Sequence, residues 1–244
     1  MAKLGYGYGS EFQLLRFMGR HRQMLEAEIR SQIHEEGEFC WLDFGFNTSE
    51  EDFIGDEERS GLAFLDELSF VDKAQITAIR EEISTQGVAR MVARQSWDAI
   101  FTMDDTVYLV EAKAHCKEMI TTERSCSTNA EILSFMKNLL PHFEVSEDWV
   151  GDYYQLANRL ATTALLNKHG IKAKTLCLFF TNGYNKRAIV NGNIQSLCNK
   201  NTTREEFETA ISLEMHTLSI TPESVAHLLT PPVFIDALGN ITIR

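Results

Sequence analysis

Three charged residues in the stretch QSWDAIFTMDDTVYLVEAKAH, residues 95–115, have the types and spacing to do chemistry: Asp98, Glu111 and Lys113. They interrupt two short apolar runs on either side of Asp104-Asp105. Alternate residues of a strand share a face. Val107, Leu109, Glu111, Lys113 and His115 therefore lie on one side, with Tyr108, Val110, Ala112 and Ala114 on the other. A two-residue loop at Asp104 and Asp105 pairs Met103 with Thr106, and the same register brings Asp98 opposite Glu111, with Cβ atoms about 4.5–5.5 Å apart. Like charges so placed are destabilising. A divalent cation between them supplies a reason, since Mg²⁺ (with Mn²⁺ as its substitute) takes one or two carboxylates, several waters and a phosphate oxygen. Lys113 could then orient or activate a water, or balance charge on a phosphoryl oxygen. A half-exposed hairpin with a cross-strand salt bridge is the alternative reading of the same residues.

The elements around this hairpin are legible from periodicity. Ser10 is a fair N-cap for a long helix over 11–34, with Leu14 or Leu15, Met18, Leu25, Ile29 and Ile33 as its apolar stripe. Glu11, one turn before that stripe, is either a partner for the positive helix end or a carboxylate reaching into a site. An aromatic strand follows over 39–46, then an acidic surface insertion over 47–60, then helices over 62–70 and 72–86, with Asp72 as cap and Gly87 as stop. After the hairpin come a helix over 126–140 and a second long helix over 146–168, closed by Gly170. The latter has an apolar stripe of Trp149, Tyr153, Leu156, Leu160 and Ala164, and beside it a polar stripe of Gln155, Asn158, Arg159 and Thr162. The run 174–181 is apolar enough to be a central buried strand. A basic loop at Asn182-Gly183, a helix over 203–215 capped by Thr203, and a closing pair of short strands about Gly239-Asn240 complete the chain. The expectation is one α/β domain over residues 1–244, with a central mixed sheet flanked by helices.

Composition narrows the classes. With 44% hydrophobic and 24% charged residues, the chain reads as globular, and no apolar run approaches the ~18 residues that span a bilayer. Residues 1–10 lack the apolar core of a signal peptide. Five scattered cysteines argue against a disulfide framework, so a reducing cytoplasm is expected. The net charge of −12 resides in residues 35–82, which hold 15 acids and 3 bases, while 153–204 contains eight bases and no acid. A local basic field is what a phosphate backbone requires, whatever the overall balance. Arg16, Arg20 and Arg22 on the first helix, with Arg159, Lys186 and Arg187 in the acid-free tract, are the candidate phosphate contacts. Pairing of these bases with the acidic segment is the competing account.

The order of these elements, with Trp97-Asp98-Ala99 and Val110-Glu111-Ala112-Lys113 on the hairpin, resembles the PD-(D/E)XK nuclease superfamily and its restriction-endonuclease-like fold. The resemblance implies Asp98 and Glu111 as metal ligands and Lys113 as the catalytic lysine. It matches Glu11 to an acid many members carry on the first helix, and Gln155 to a glutamine that some branches place after the hairpin. Trp97 stands where the family has its proline, and Arg159 where one branch has the tyrosine of Gln-x-x-x-Tyr. Implied activity is Mg²⁺-dependent hydrolysis of nucleic acid, most readily DNA. A catalytically silent nucleic-acid-binding module and a protein-interaction module, with the acidic segment recruiting a basic partner, are the alternatives. A homodimer is left open.

Overall fold

The first apolar stripe builds two helices, α1 (Gly9–Arg20) and α2 (Arg22–Ile33), where the spacing predicts one. His21, at φ −131° and ψ 30°, leaves the helical region. The Met18 carbonyl, which an unbroken helix would offer to the Arg22 N–H, accepts instead from Arg22 Nε at 2.9 Å. Leu14, Phe17 and Met18 on α1 and Leu25, Ile29 and Ile33 on α2 are buried, so one apolar face survives the break. This computed structural model describes residues 9–42, 59–120, 130–182, 187–190, 193–196 and 202–237, the segments 187–190 and 193–196 by backbone alone.

In chain order the strands are β1 (Phe39–Leu42), β2 (Arg59–Ser60), β3 (Ser96–Trp97), β4 (Ala99–Met103), β5 (Thr106–Lys113), β6 (Ala173–Thr181), β7 (Arg187–Val190), β8 (Asn193–Ser196) and β9 (Val233–Asp236). The remaining helices are α3 (Lys73–Thr85), α4 (Ala89–Ala93), α5 (Ala130–Leu139), α6 (Tyr154–Lys168), α7 (Arg204–Thr217) and α8 (Pro222–Val225). Five strands form a mixed sheet in the order β1-β4-β5-β6-β9, antiparallel up to β5 and parallel from β5 onward. Parallel neighbours need a crossover, and α5 and α6 lie in the one joining β5 to β6. The hairpin has the expected register, Met103 opposite Thr106 and Ala99 opposite Val110. Asp104 takes the left-handed φ of 49° that an Asp tolerates, and its Oδ1 accepts the Glu38 N–H at 3.3 Å.

Strand alternation divides the core. Ala99, Phe101, Tyr108, Val110 and Ala112 pack with the α1–α2 stripe, whereas Ile100, Val107 and Leu109 pack with residues of α3, α5 and α6. The sheet is thus a middle layer, and Glu111 and Lys113, in phase with Val107 and Leu109, face α6. Phe207 of α7 packs on Phe179 and Phe234 beyond the edge of α6.

Elsewhere Asp72, Gly87 and Gly170 act as expected, Ser10 lies inside α1 and does not cap it, and the element lengths differ. Gln75 Oε1 accepts the Asp72 N–H at 2.9 Å at the start of α3, and Gly87 and Gly170 take left-handed φ values of 72° and 77°. The predicted helix over 62–70 is only a 3₁₀ turn at Ala63–Glu67. The predicted helix over 146–168 is a 3₁₀ turn at Glu147–Val150, then Gly151 in a non-helical conformation, then α6. Residues 1–8, most of the insertion (47–58), the ends of two predicted elements (43–46 and 126–129), the basic loop with Lys186, and the closing strand at 241–244 lie outside the described residues. Among the described residues Cys40, Cys116 and Cys177 are in no disulfide, and Cys126 and Cys198 lie outside the description. Among the described residues no helix is long and apolar enough to cross a membrane.

Candidate active site

Asp98 stands at a fork. Just before it, β3 pairs with β2 through Trp97 and Arg59; just after it, β4 pairs with β5 from Ala99 onward. At this break the Asp98 side chain takes over the ladder, its Oδ2 accepting the Ala112 N–H at 2.6 Å. The carboxylate is thereby fixed at the peptide between Glu111 and Lys113, the neighbourhood that the hairpin register requires.

Glu111 and Lys113 are buried, 5% and 8% exposed, and so is Arg159, at 7%. Charges are rarely buried so deeply unless paired, and these three pair with one another. Lys113 Nζ donates to Glu111 Oε1, while Arg159 Nε donates to Glu111 Oε2 at 2.8 Å. Burial alone would raise the Glu111 pKa, but the charges and hydrogen bonds of Lys113 and Arg159 hold it well below the usual carboxylate range. Burial would likewise lower the Lys113 pKa, yet Glu111 and then Asp98 raise it above its ordinary value. Lys113 is therefore a fixed ammonium, able to stabilise negative charge and unsuited to accept a proton near neutrality. Gln155 Oε1 accepts from the same ammonium at 2.9 Å and aims it.

Trp97 and Arg159 touch each other. The Arg159 guanidinium lies over the Trp97 ring at 4.5 Å from its centroid, and its NH2 donates to the Ser96 carbonyl at 2.6 Å. Trp97 is itself fully buried, with Nε1 donating to the Gly61 carbonyl at 2.7 Å. Beside them Gln95 Nε2 donates to Asn158 Oδ1 at 2.6 Å and Thr162 Oγ1 to Gln95 Oε1 at 3.0 Å, so the polar stripe of α6 is clamped to the strand entering the site. Such a satisfied buried network fixes orientation. Asp98, Glu111, Lys113, Gln155 and Arg159 line an open cleft of about 600 Å³, together with Ser10, Arg94, Lys117 and Glu118.

Asp98, Glu111, Lys113 and Gln155 are thus brought together, and several other expected residues are not. Arg159 is no surface phosphate contact: it is consumed by Glu111 and Trp97. Arg16 turns inward, its NH2 donating to the Ala237 carbonyl at 2.6 Å, with burial lowering its pKa. Arg20 is exposed at the end of α1. In the first turn of α1, Ser10 lines the cleft. Lys186 and the Arg187 side chain lie outside the description. Two of the eight bases of the tract do pair with the acidic segment, Lys168 with Glu82 at 2.7 Å and Lys174 with Glu35 at 2.5 Å. Sequence reasoning missed Arg159 as the counter-charge of Glu111, although its place four residues after Gln155 puts both on one helix face. Glu118 was missed too; its Oε2 accepts the Ala114 N–H at 2.9 Å across a 3₁₀ turn that carries no recognisable spacing.

A hard cation would find oxygen donors of the right kind in Asp98 and Glu111. Among the described residues no group of three or more His, Cys, Asp or Glu is arranged for a metal. Both Glu111 oxygens already accept from cations, so a metal entering here shares the carboxylate with Lys113 and Arg159 or displaces one of them. The donor set fits on that condition. Comparison with protein-family models, curated proteins and solved structures finds no match to this chain.

Proposed function

We propose that the chain is a Mg²⁺-dependent nuclease on a restriction-endonuclease-like core, hydrolysing phosphodiester bonds of nucleic acid, most readily DNA. The observation that carries this reading is the Asp98 carboxylate on the Ala112 N–H, which sets an acid beside Glu111 and Lys113 at the floor of an open cleft. An acid-bearing antiparallel hairpin next to a parallel crossover strand supports the core assignment.

Asp98 and Glu111 would hold the cation, which when bound polarises a scissile phosphate and lowers the pKa of a water. Lys113, kept protonated, stabilises charge developing on the phosphoryl oxygens, and Gln155 holds its ammonium in place. Phosphate contacts fall to Arg94 and Lys117, both exposed on the cleft wall, in place of Arg16 and Arg159. A cytoplasmic setting belongs to the same proposal.

The test compares cleavage of plasmid and linear DNA in Mg²⁺ or Mn²⁺ by wild type, Asp98→Asn and Lys113→Ala. Wild type should cut, and each variant should lose about a hundredfold or more. Equal activity in all three would sink the assignment. One observation favours a second reading, a binding module without hydrolysis: Glu111 is already neutralised on both oxygens. Salt-dependent DNA binding with no cutting in either metal would establish that reading instead.

A further inference from the structure

The helix α7 buries one face through Phe207, Ile211, Glu214 and Leu218, a stripe at helical spacing in which a carboxyl occupies an apolar position. Glu214 is only 7% exposed, and among the described residues its carboxyl makes no hydrogen bond or ion pair. A carboxylate left so in an apolar setting costs several kcal/mol, roughly, unless it is neutralised or partnered. The fold leaves room for a partner. Glu214 lines a cavity of about 210 Å³ whose walls include Phe179, Ile211, Met215, Val225 and Leu229. Packed interiors have few voids larger than a water molecule, and an engineered cavity of about 150 Å³ is enough to take benzene. Lys174 also lines this space, but its ammonium is committed to Glu35 at 2.5 Å. Cys177 lines it as well, and burial pushes its thiol well above the ordinary value, so it offers no reactive thiolate.

We propose that this cavity is a binding site for a small amine, a compact apolar body of about one ring carrying a single ammonium that pairs with Glu214. The walls exclude a polar ligand by leaving its other groups unsatisfied, and the buried carboxyl selects a cation over an anion. The site is separate from the cleft and independent of the nuclease reading. It does share a boundary with the cleft, since Cys177 stands opposite Glu111 in the β5–β6 register.

Benzylamine, benzyl alcohol and benzoate, titrated into the full chain by calorimetry and by NMR, decide the matter. Benzylamine should bind saturably and about tenfold or more tighter than benzyl alcohol, with benzoate not binding. Glu214→Gln should abolish the preference for the amine, and Ala226→Trp, at an exposed position on the pocket wall, should block both ligands. Three results would each overturn the proposal: no saturable amine binding by wild type, equal affinity for amine and alcohol, or amine binding unchanged in both variants. DNA cleavage is measured separately, so neither outcome masks the other.

Discussion

A carboxylate buried as deeply as Glu111 needs counter-charge, and this chain supplies two: Lys113 from the same strand face and Arg159 from α6. Arg159 is affordable at this depth because Trp97 offers its ring face and Ser96 its carbonyl. Neither proline at 97 nor tyrosine at 159 could do this, since proline has no ring face of that kind and tyrosine no charge. Trp97 and Arg159 are one physical arrangement, and under the proposed function it would set a competition for Glu111 Oε2 between guanidinium and metal. Arg159→Met should therefore act in opposite directions on two readouts. Stability without metal should fall by about 3 kcal/mol, because a buried carboxylate loses one of its partners. Affinity for Mn²⁺ should rise about tenfold, because a nearby positive charge is gone. Urea unfolding and Mn²⁺ calorimetry measure the two, and a rise in both or a fall in both would contradict the competition.

At the level of elements, sequence and structure agree where a local cause decides the outcome. Alternation along 106–113 and a two-residue loop fix the hairpin, and glycines with left-handed φ stop α3 and α6. Disagreement arises where distant packing decides. His21 breaks the first helix and Gly151 delays α6, and neither break carries a proline to announce it. Arg159 has the sequence context of a phosphate contact, because its partner lies 48 residues away in sequence. Glu214 is the same lesson on α7, a charged residue in a buried stripe, and it gives that helix a pH signature. Burial first, then the charge of Glu111, outweighs Lys113 and moves its pKa from 4.5 to about 8. Between those values the folded chain holds a proton that the unfolded chain has released. Stability from this group is complete below the lower value and declines as pH rises toward the upper, by about 1.4 kcal/mol per pH unit at most. Glu214→Gln does not titrate, so its stability advantage over wild type should be absent near pH 4 and widest above pH 8. Urea midpoints for both proteins at the two ends of that window check the sign, and a difference independent of pH would refute it.

Across the whole molecule the charge is arranged as a strongly acidic segment and a tract of bases that partly folds back onto it through Lys168–Glu82 and Lys174–Glu35. Among the described residues, the bases that reach the cleft are Arg94 and Lys117 on its wall, with Arg159 spent inside. Phosphate binding by so few free cations is sensitive to any negative field nearby. Residues 50–58 carry six carboxylates (Glu50, Glu51, Asp52, Asp56, Glu57 and Glu58), and converting them to amides takes the net charge from −12 to −6. If this segment acts as an electrostatic screen, the amide variant should bind a short DNA duplex several-fold tighter at about 0.01 M salt. The gain should vanish by about 0.15 M, where the screening length falls from about 30 Å to about 8 Å. Fluorescence anisotropy of labelled duplex without metal, across a salt series, reads both features. A segment that instead recruits a basic partner predicts a different pair of results: DNA affinity unchanged at every salt concentration, and binding of a lysine-rich peptide to wild type that the amide variant loses. The two accounts make opposite demands on the same six side chains, so one protein pair and two ligands separate them.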